Sequence, residues 1–247
     1  MDEKDSIKNL IEKFLNDNKD NENLFMKGID GDSLKEIKNA KIYNEFSLQH
    51  ELGLFLRKEL EKDGYKVQFE RNVEFFGGDK KKFVKKEMDI VVFNNRNLEK
   101  YAIELKFPIN GFYEKRMHHF VKDIQFMEEV VQPKEMGGLG FTQTYCLTLI
   151  SDLANGKMFR TGEKVDSEIA KYFVDPKVSE IKKEDVDEKV PPYIEKKKEH
   201  PHKISGSYPI EWEQIDSTEY YYYLIEIPND SKKIRLCHNK WLIFDEK

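Results

Sequence analysis

The sequence predicts a mixed α/β (α+β) protein in which helices flank a mixed central sheet. Three observations support this fold class. Long segments repeat apolar residues at helical spacing, shorter segments are rich in β-branched and aromatic residues, and glycine- or asparagine-rich turns separate them. Hydrophobic residues make up 38% and aromatic residues 13% of the 247 residues, so the chain can build a substantial core.

Composition and charge exclude several classes of protein. No run approaches the roughly 18 apolar residues of a membrane span, and the acidic N-terminus does not resemble a signal peptide, so we expect a cytoplasmic protein with no membrane partner. Cys146 and Cys237 have no CxxC partner, which argues against a disulfide framework or a zinc site. The formal net charge of −5 does not indicate a nucleic-acid-binding protein. Phosphate contacts, however, need only a local basic surface.

The chain divides into three predicted parts. Residues 1–44 form an N-terminal helical arm, and residues 45–152 form the core. Residues 153–247 form a C-terminal extension that combines a long charged excursion with further strands and packs on the core. The predicted elements of the core and extension are a helix over 45–62, a strand over 65–76, two strands between 86 and 108, a helix over 112–132, and strands over 141–150, 220–228 and 234–244.

The helix over 45–62 has the clearest amphipathic pattern and carries one acid at the border of its apolar arc. That acid is Glu51, which lies beside Leu48 and Phe55 on the helical wheel. A carboxylate in this position can reach into a cleft, although position alone favours an exposed glutamate. The residues assigned to the apolar arc are Phe46, Leu48, Leu52, Phe55, Leu56 and Leu60.

The two strands between 86 and 108 place acids opposite one another. If their turn is centred between Arg96 and Asn97, Asp89 lies opposite Glu104 in an antiparallel pair, where Cβ atoms are about 4.5–5.5 Å apart. Lys106 leaves the same face as Glu104 because it lies two residues further along the strand. The sequence therefore predicts two acids and one lysine at one edge of the sheet.

Two opposed carboxylates repel each other, and a hard divalent cation between them removes the repulsion. Asp89, Glu104 and the backbone carbonyl of Leu105 supply three oxygen ligands, and Glu51 supplies a fourth directly or through water. Phosphodiester hydrolysis requires an activated water and stabilisation of charge on phosphate oxygens, which a divalent metal provides. Lys106 would orient the attacking water or neutralise the pentavalent phosphorus.

This arrangement resembles the PD-(D/E)XK nuclease superfamily, which has the restriction-endonuclease-like fold. The resemblance rests on a helix acid at Glu51, Asp89 at the start of an apolar strand, and the Glu104-Leu105-Lys106 run, and it covers residues 45–150. Met88 stands where the pattern that gives the family its name has proline. The resemblance implies an αβββαβ core and metal-dependent cleavage of nucleic acid.

The resemblance also implies roles for individual residues. Asp89 and Glu104 hold Mg²⁺, for which Mn²⁺ substitutes, Lys106 assists the nucleophile, and Glu51 supports the metal from the first helix. Many members also place a polar residue from the following helix near the site. That helix is predicted over 112–132, where Gln125 or Lys122 would fill the role.

Two further readings remain open beside a metal-dependent nuclease acting on DNA rather than RNA. The chain could keep the fold as a catalytically silent nucleic-acid-binding or assembly module. It could also be an unrelated α+β protein with a chance Glu-x-Lys sequence. Many nucleases of this fold act as dimers, so a homodimer is possible, and restriction, defence, repair and mobile-element functions are all compatible.

The sequence does not determine what two clusters of lysines contact. Each is either solvated charge or a phosphate-contacting surface. The first lies just before Asp89, and the second lies in the C-terminal extension. The clusters are Lys80, Lys81, Lys82, Lys85 and Lys86, and Lys196, Lys197, Lys198 and Lys203.

Overall fold

A computed structural model describes residues 6–16, 24–25, 40–96, 98–108, 113–151, 179–182, 202–216, 218 and 220–229. Within the helix Tyr113–Val131, side chains are described from position 119 onward. The predicted strand at 234–244 lies outside the described residues. The elements are α1 (Ile7–Asn16), α2 (Glu45–Leu60), β1 (Lys66–Asn72), β2 (Glu87–Asn94), β3 (Glu99–Lys106), α3 (Tyr113–Val131), β4 (Gln143–Ser151), β5 (Glu180–Ile181), β6 (Tyr208–Pro209), β7 (Glu213–Gln214) and β8 (Tyr220–Pro228).

Six strands form one mixed sheet in the order β1-β2-β3-β4-β8-β7. Only β3 and β4 among these neighbours run parallel, and α3 connects them; the other neighbouring pairs are antiparallel. A separate small sheet pairs β5 with β6. The predicted mixed α/β architecture is therefore confirmed.

Helices cover both faces of the sheet and bury two separate apolar clusters. On one face, α1 and α2 pack against alternate residues of the central strands, including Ile90, Ile103 and Leu105. On the other face, α3 packs against Val91 and Ala102. The described part of the N-terminal arm therefore shares its core with α2 and the sheet. No helix in the described ranges has the length and apolar character needed to cross a membrane.

A capping box starts α2 next to the carboxyl end of β3. The Asn44 side chain accepts a hydrogen bond from the Ser47 backbone N–H at 2.7 Å, and the Ser47 hydroxyl accepts one from the Asn44 N–H at 2.9 Å. The prediction that Phe46 lies on the buried arc is wrong, because its side chain is 69% exposed. Phe46 lies about 200° around the helix from the buried Leu48, so the two cannot face the same core.

The strand predicted over 65–76 is shorter than expected and ends at Asn72. The Asn72 side chain accepts a hydrogen bond from the Glu74 N–H at 3.0 Å and starts a 3₁₀ turn over Val73–Phe76. The chain then returns to β2, where the Val73 N–H donates to the Lys86 carbonyl at 2.8 Å. This return fixes the backbone next to Lys85 at the entry to β2.

The predicted register of the central hairpin is confirmed. Ile90 pairs with Ile103, and the pairing continues regularly to Asn94 and Glu99 at the turn. Its acidic end lies beside the parallel strand β4. The hairpin thus places the predicted acids and lysine at the carboxyl end of β3.

Candidate functional site

The backbone pairing of β2 with β3 ends one residue before the two predicted acids. Its last pair is Ile90 with Ile103, which leaves Asp89 and Glu104 at the next opposed positions. Beyond this pair the Asp89 carboxylate replaces a ladder hydrogen bond, since it accepts from the Leu105 N–H at 2.8 Å. The end of the hairpin is therefore held by a side chain that also belongs to the candidate site.

A second side chain supports Asp89 from α2. The Gln49 side-chain amide donates to the Asp89 carbonyl and to the Glu70 carboxylate, both at 2.6 Å. Glu70 lies opposite Asp89 in the register of β1 and β2, and its φ of 49° is in the left-handed region. Strained backbone of this kind clusters at functional sites, and here Gln49 and Glu70 fix the backbone beneath the acid.

Glu104 is the most deeply buried acid of the site, with 1% of the residue exposed. The Lys85 ammonium contacts its Oε2, while Oε1 is buried without a hydrogen-bond partner. Burial, followed by the charge of Asp89, raises the pKa of Glu104 well above its usual value, against the opposing effect of Lys85. A buried carboxylate oxygen without a donor retains an unused capacity to bind a cation.

Asp123 reaches the same point from α3 and lies between the two lysines. Its Oδ1 is 2.9 Å from the Lys85 Nζ, and its Oδ2 is 3.1 Å from the Lys106 Nζ. The residue is 3% exposed. Oδ2 has no hydrogen bond of acceptable geometry despite this short approach to Lys106. Asp123 therefore holds both ammonium groups beside Glu104.

Lys106 is held by three oxygen atoms. Its Nζ donates to the Leu105 carbonyl at 2.8 Å and lies 3.1 Å from Asp123 and 3.6 Å from Glu45. Burial alone would lower the pKa of Lys106, but the charges of Asp123 and Glu45 outweigh it and raise the pKa above its usual value. Glu45 also accepts from the Phe107 N–H at 3.0 Å, which ties the start of α2 to the end of β3.

Lys85 enters the site from the turn before β2. Burial would lower its pKa, but the charges of Glu104 and Asp123 raise the pKa above the usual lysine value. The raised pKa keeps Lys85 in its charged form. In the described part of the chain, Lys85 and Lys106 are the two lysines that pair with the cluster of Asp89, Glu104 and Asp123.

The pKa of Asp89 is shifted toward neutral pH. Burial raises the pKa of Asp89 to about 6, while Lys106, Lys85 and the hydrogen bond from the Leu105 N–H act in the opposite direction. Near pH 7 the charged form predominates, and it can bind a cation or accept a proton from a water molecule.

The structure brings together four of the predicted site residues: Asp89, Glu104, Leu105 and Lys106. Glu51 is half-buried on α2 and makes no ion pair or hydrogen bond with this cluster among the residues described. The α2 acid that reaches Lys106 is Glu45, six positions earlier. Because six positions correspond to about 240° around a helix, the two acids leave different faces of α2.

Gln125 makes its hydrogen bonds elsewhere on α3. Its amide donates to the Glu129 carboxylate at 3.0 Å and accepts from the Lys203 N–H at 3.0 Å. Asp123 lies two positions earlier, about 200° away on the helix, and is the α3 residue that joins the cluster. Lys122, the other residue considered for this role, is half-buried.

Sequence reasoning missed Asp123 although a signal for it is present. Asp123 lies among Phe120, Ile124 and Met127 on the apolar arc of α3, all of which are buried. An acid inside an apolar arc requires a buried partner, which marks it as a candidate. Lys85 had no comparable signal, because nothing in the sequence distinguishes it from the other lysines of its cluster. In the structure those other lysines are exposed: Lys80, Lys81, Lys82 and Lys86.

The donor chemistry of the cluster fits a hard divalent cation. Asp89, Glu104 and the Leu105 carbonyl offer oxygen ligands, which Mg²⁺ prefers, and Glu104 Oε1 is buried without a donor. Across the described ranges, however, no set of three or more His, Cys, Asp or Glu side chains is arranged to hold a metal ion. In this arrangement the Lys85 ammonium lies between Glu104 and Asp123.

Comparisons of the chain with protein-family models, with curated proteins and with solved structures return no significant match.

Proposed function

We propose that this protein is a metal-dependent nuclease that hydrolyses phosphodiester bonds in nucleic acid, with DNA as its substrate. The observation that carries the proposal is the buried, incompletely paired Glu104 opposite Asp89, with Lys106 on the same strand face. A structural hairpin has no need for two opposed acids whose pKa values are both raised. Two opposed carboxylates are expected instead in a site that binds a cation next to phosphate, because the cation offsets their mutual repulsion.

The topology supports assignment to the restriction-endonuclease-like fold. The elements α2, β1, β2, β3, α3 and β4 occur in the αβββαβ order of the PD-(D/E)XK core, and the parallel pair β3–β4 is joined by α3. The sheet is extended beyond this core by β8 and β7. These strands belong to the C-terminal extension, whose role in access or dimer formation stays a prediction.

The proposed site divides the chemical work between its acids and Lys106. Asp89, Glu104 and the Leu105 carbonyl would hold Mg²⁺ or Mn²⁺. When bound, the metal supplies charge stabilisation and lowers the pKa of a coordinated water. Lys106 stays protonated because Asp123 and Glu45 raise its pKa, so it stabilises negative charge on the phosphate rather than accepting a proton.

The α2 carboxylate and the α3 polar residue of the site are assigned to residues other than those predicted from the sequence. Glu45, rather than Glu51, provides the α2 carboxylate beside Lys106. Asp123, rather than Gln125, provides the polar contact from α3. Both residues position the Lys106 ammonium, so they act on the reacting phosphate only through Lys106.

Cleavage of plasmid DNA and of labelled duplex and single-stranded DNA and RNA tests the proposal. We expect wild-type protein to cut DNA with Mg²⁺ or Mn²⁺ and not with EDTA. Lys106→Ala should reduce the rate by at least about 100-fold. The matched control is Lys62→Ala, because Lys62 is an exposed lysine just after the end of α2 and lies outside both lysine clusters, and it should retain the wild-type rate. Cleavage by the Lys106→Ala variant at the wild-type rate would contradict the proposed site.

A catalytically silent binding or assembly module is the second candidate function. It is favoured by the two lysines that already neutralise much of the acidic cluster and by the absence of a metal-ligand group in the described ranges. This reading predicts nucleic-acid binding that is equal in EDTA and Mg²⁺, without cleavage. A binding titration run beside the cleavage assay separates the two functions.

A further inference from the structure

The position of Lys85 suggests how the proposed site regulates access of a metal ion. Its ammonium contacts Glu104 and lies 2.9 Å from Asp123. Among the described residues, these are the two acids with buried oxygens that lack hydrogen-bond partners, Glu104 Oε1 and Asp123 Oδ2. Lys85 pairs with the other oxygen of each acid, Glu104 Oε2 and Asp123 Oδ1, and so supplies positive charge between the two carboxylates.

We propose that Lys85 is an internal cation that competes with the divalent ion for Glu104. This inference rests on the proposed metal site and adds to it the residue that sets its metal affinity. An ammonium and a divalent ion cannot share one carboxylate pocket without strong repulsion. The site would thus alternate between a closed form paired with Lys85 and an open form that binds metal.

The surrounding structure allows the side chain to move while its backbone stays fixed. The Val84 N–H donates to Glu129 at 2.9 Å, and the Lys86 carbonyl accepts from the Val73 N–H at 2.8 Å. The Lys85 side chain is 22% exposed. Its flexible four-carbon stem can rotate toward solvent, a movement that leaves these backbone hydrogen bonds intact.

Lys106 differs from Lys85 in its set of partners. Lys106 bonds the Leu105 carbonyl and approaches Asp123 and Glu45, but no ion pair joins it to Glu104 among the described contacts. Entry of a metal at Glu104 therefore requires displacement of Lys85 and leaves the contacts of Lys106 with Asp123 and Glu45 in place. The two lysines therefore have separate roles: Lys85 competes with the metal ion for Glu104, and Lys106 faces the phosphate.

Calorimetric titration of the full chain with Mn²⁺ tests the competition. Lys85→Met should bind Mn²⁺ about tenfold or more tightly than wild type, because the competing charge is gone. Lys82→Met, the exposed control, should match wild type, and Asp89→Asn should abolish binding. Binding that Lys85→Met leaves unchanged or weakens overturns the competition while the metal site stands. Failure of every variant to bind Mn²⁺ overturns both proposals.

A measurement on the wild-type chain avoids dependence on a variant that could fold poorly. With ¹⁵N-labelled lysine, NMR detects ammonium groups that are protected by ion pairs. The Lys85 signal should be present in EDTA and lost at saturating Mg²⁺, while the Lys106 signal persists. A Lys85 signal that persists at Mg²⁺ saturation overturns the competition.

Discussion

Two buried glutamates in this protein have opposite surroundings. Glu128, on α3, is 5% exposed and accepts four hydrogen bonds: from the Ser205 N–H at 2.8 and 2.7 Å, from the Gly206 N–H at 2.8 Å and from the Tyr208 hydroxyl at 2.6 Å. Glu104, on β3, is 1% exposed and has one oxygen without any donor. The first carboxylate is saturated by neutral donors, and the second is not.

The difference separates a structural acid from one suited to bind a ligand. The donors around Glu128 are mostly backbone groups that cannot leave, so the carboxylate fastens the segment over 202–216 to α3. Glu104 instead depends on the Lys85 ammonium, whose side chain can move. A buried acid whose partners are few and movable is therefore the better candidate for function.

The largest expected effect is on Glu104. We expect Glu104→Gln to abolish Mn²⁺ binding and to reduce DNA cleavage by at least about 100-fold, because the oxygen that would bind the cation loses its charge. Stability in EDTA should stay the same or rise, because burial and Asp89 raise the pKa of Glu104 and its charged form is therefore disfavoured in the fold. Cleavage assays beside urea denaturation measure both effects. Cleavage at the wild-type rate would contradict a functional Glu104.

Glu128 should show the opposite pattern. Glu128→Gln replaces one acceptor oxygen by an amide that faces N–H donors, so we expect the free energy of unfolding to fall by about 2 kcal/mol. Urea denaturation followed by circular dichroism measures this loss. Mn²⁺ binding should be unchanged in the folded protein. A variant with weaker metal binding and full stability would show that the two acids have been assigned the wrong way round.

Asp89 should make the stability of the metal-free protein depend on pH. Its pKa is raised from 3.8 to about 6 in the fold, so the folded state binds more protons than the unfolded state between these values. Its stabilising contribution is full below pH 4 and is lost as pH rises through about 6. In EDTA, Asp89→Asn should raise the free energy of unfolding by about 1–2 kcal/mol at pH 7 and have little effect at pH 4. An equal effect at both pH values would contradict the raised pKa.

The smallest expected effect concerns a single donor to Glu128. Tyr208→Phe removes the hydroxyl that lies 2.6 Å from the carboxylate and leaves its backbone donors in place. We expect a loss of about 1 kcal/mol in the free energy of unfolding, measured by the same denaturation, with unchanged Mn²⁺ binding. A loss as large as that of Glu128→Gln would show that the backbone donors contribute little.

The part of the site on the hairpin was predictable because strand geometry is local. Side chains alternate with a period of two and the turn fixes the register, so Asp89, Glu104 and Lys106 follow from the sequence once the turn is located. The observed pairing of Ile90 with Ile103 confirms that register. The helix contributions were less predictable, because the described contacts with Lys106 come from Glu45 and Asp123 and not from the predicted Glu51 and Gln125.

The sequence by itself determined the mixed α/β architecture, the central hairpin and the three side chains that leave one of its faces. Only the tertiary structure decided that Asp123, Glu45 and Lys85 join them. The physical reason is that these residues come from separate elements, and their convergence depends on how two helices and a turn pack on the sheet. Periodicity shows which side of an element is buried, but the partner that meets a buried charge is set by packing across the whole core.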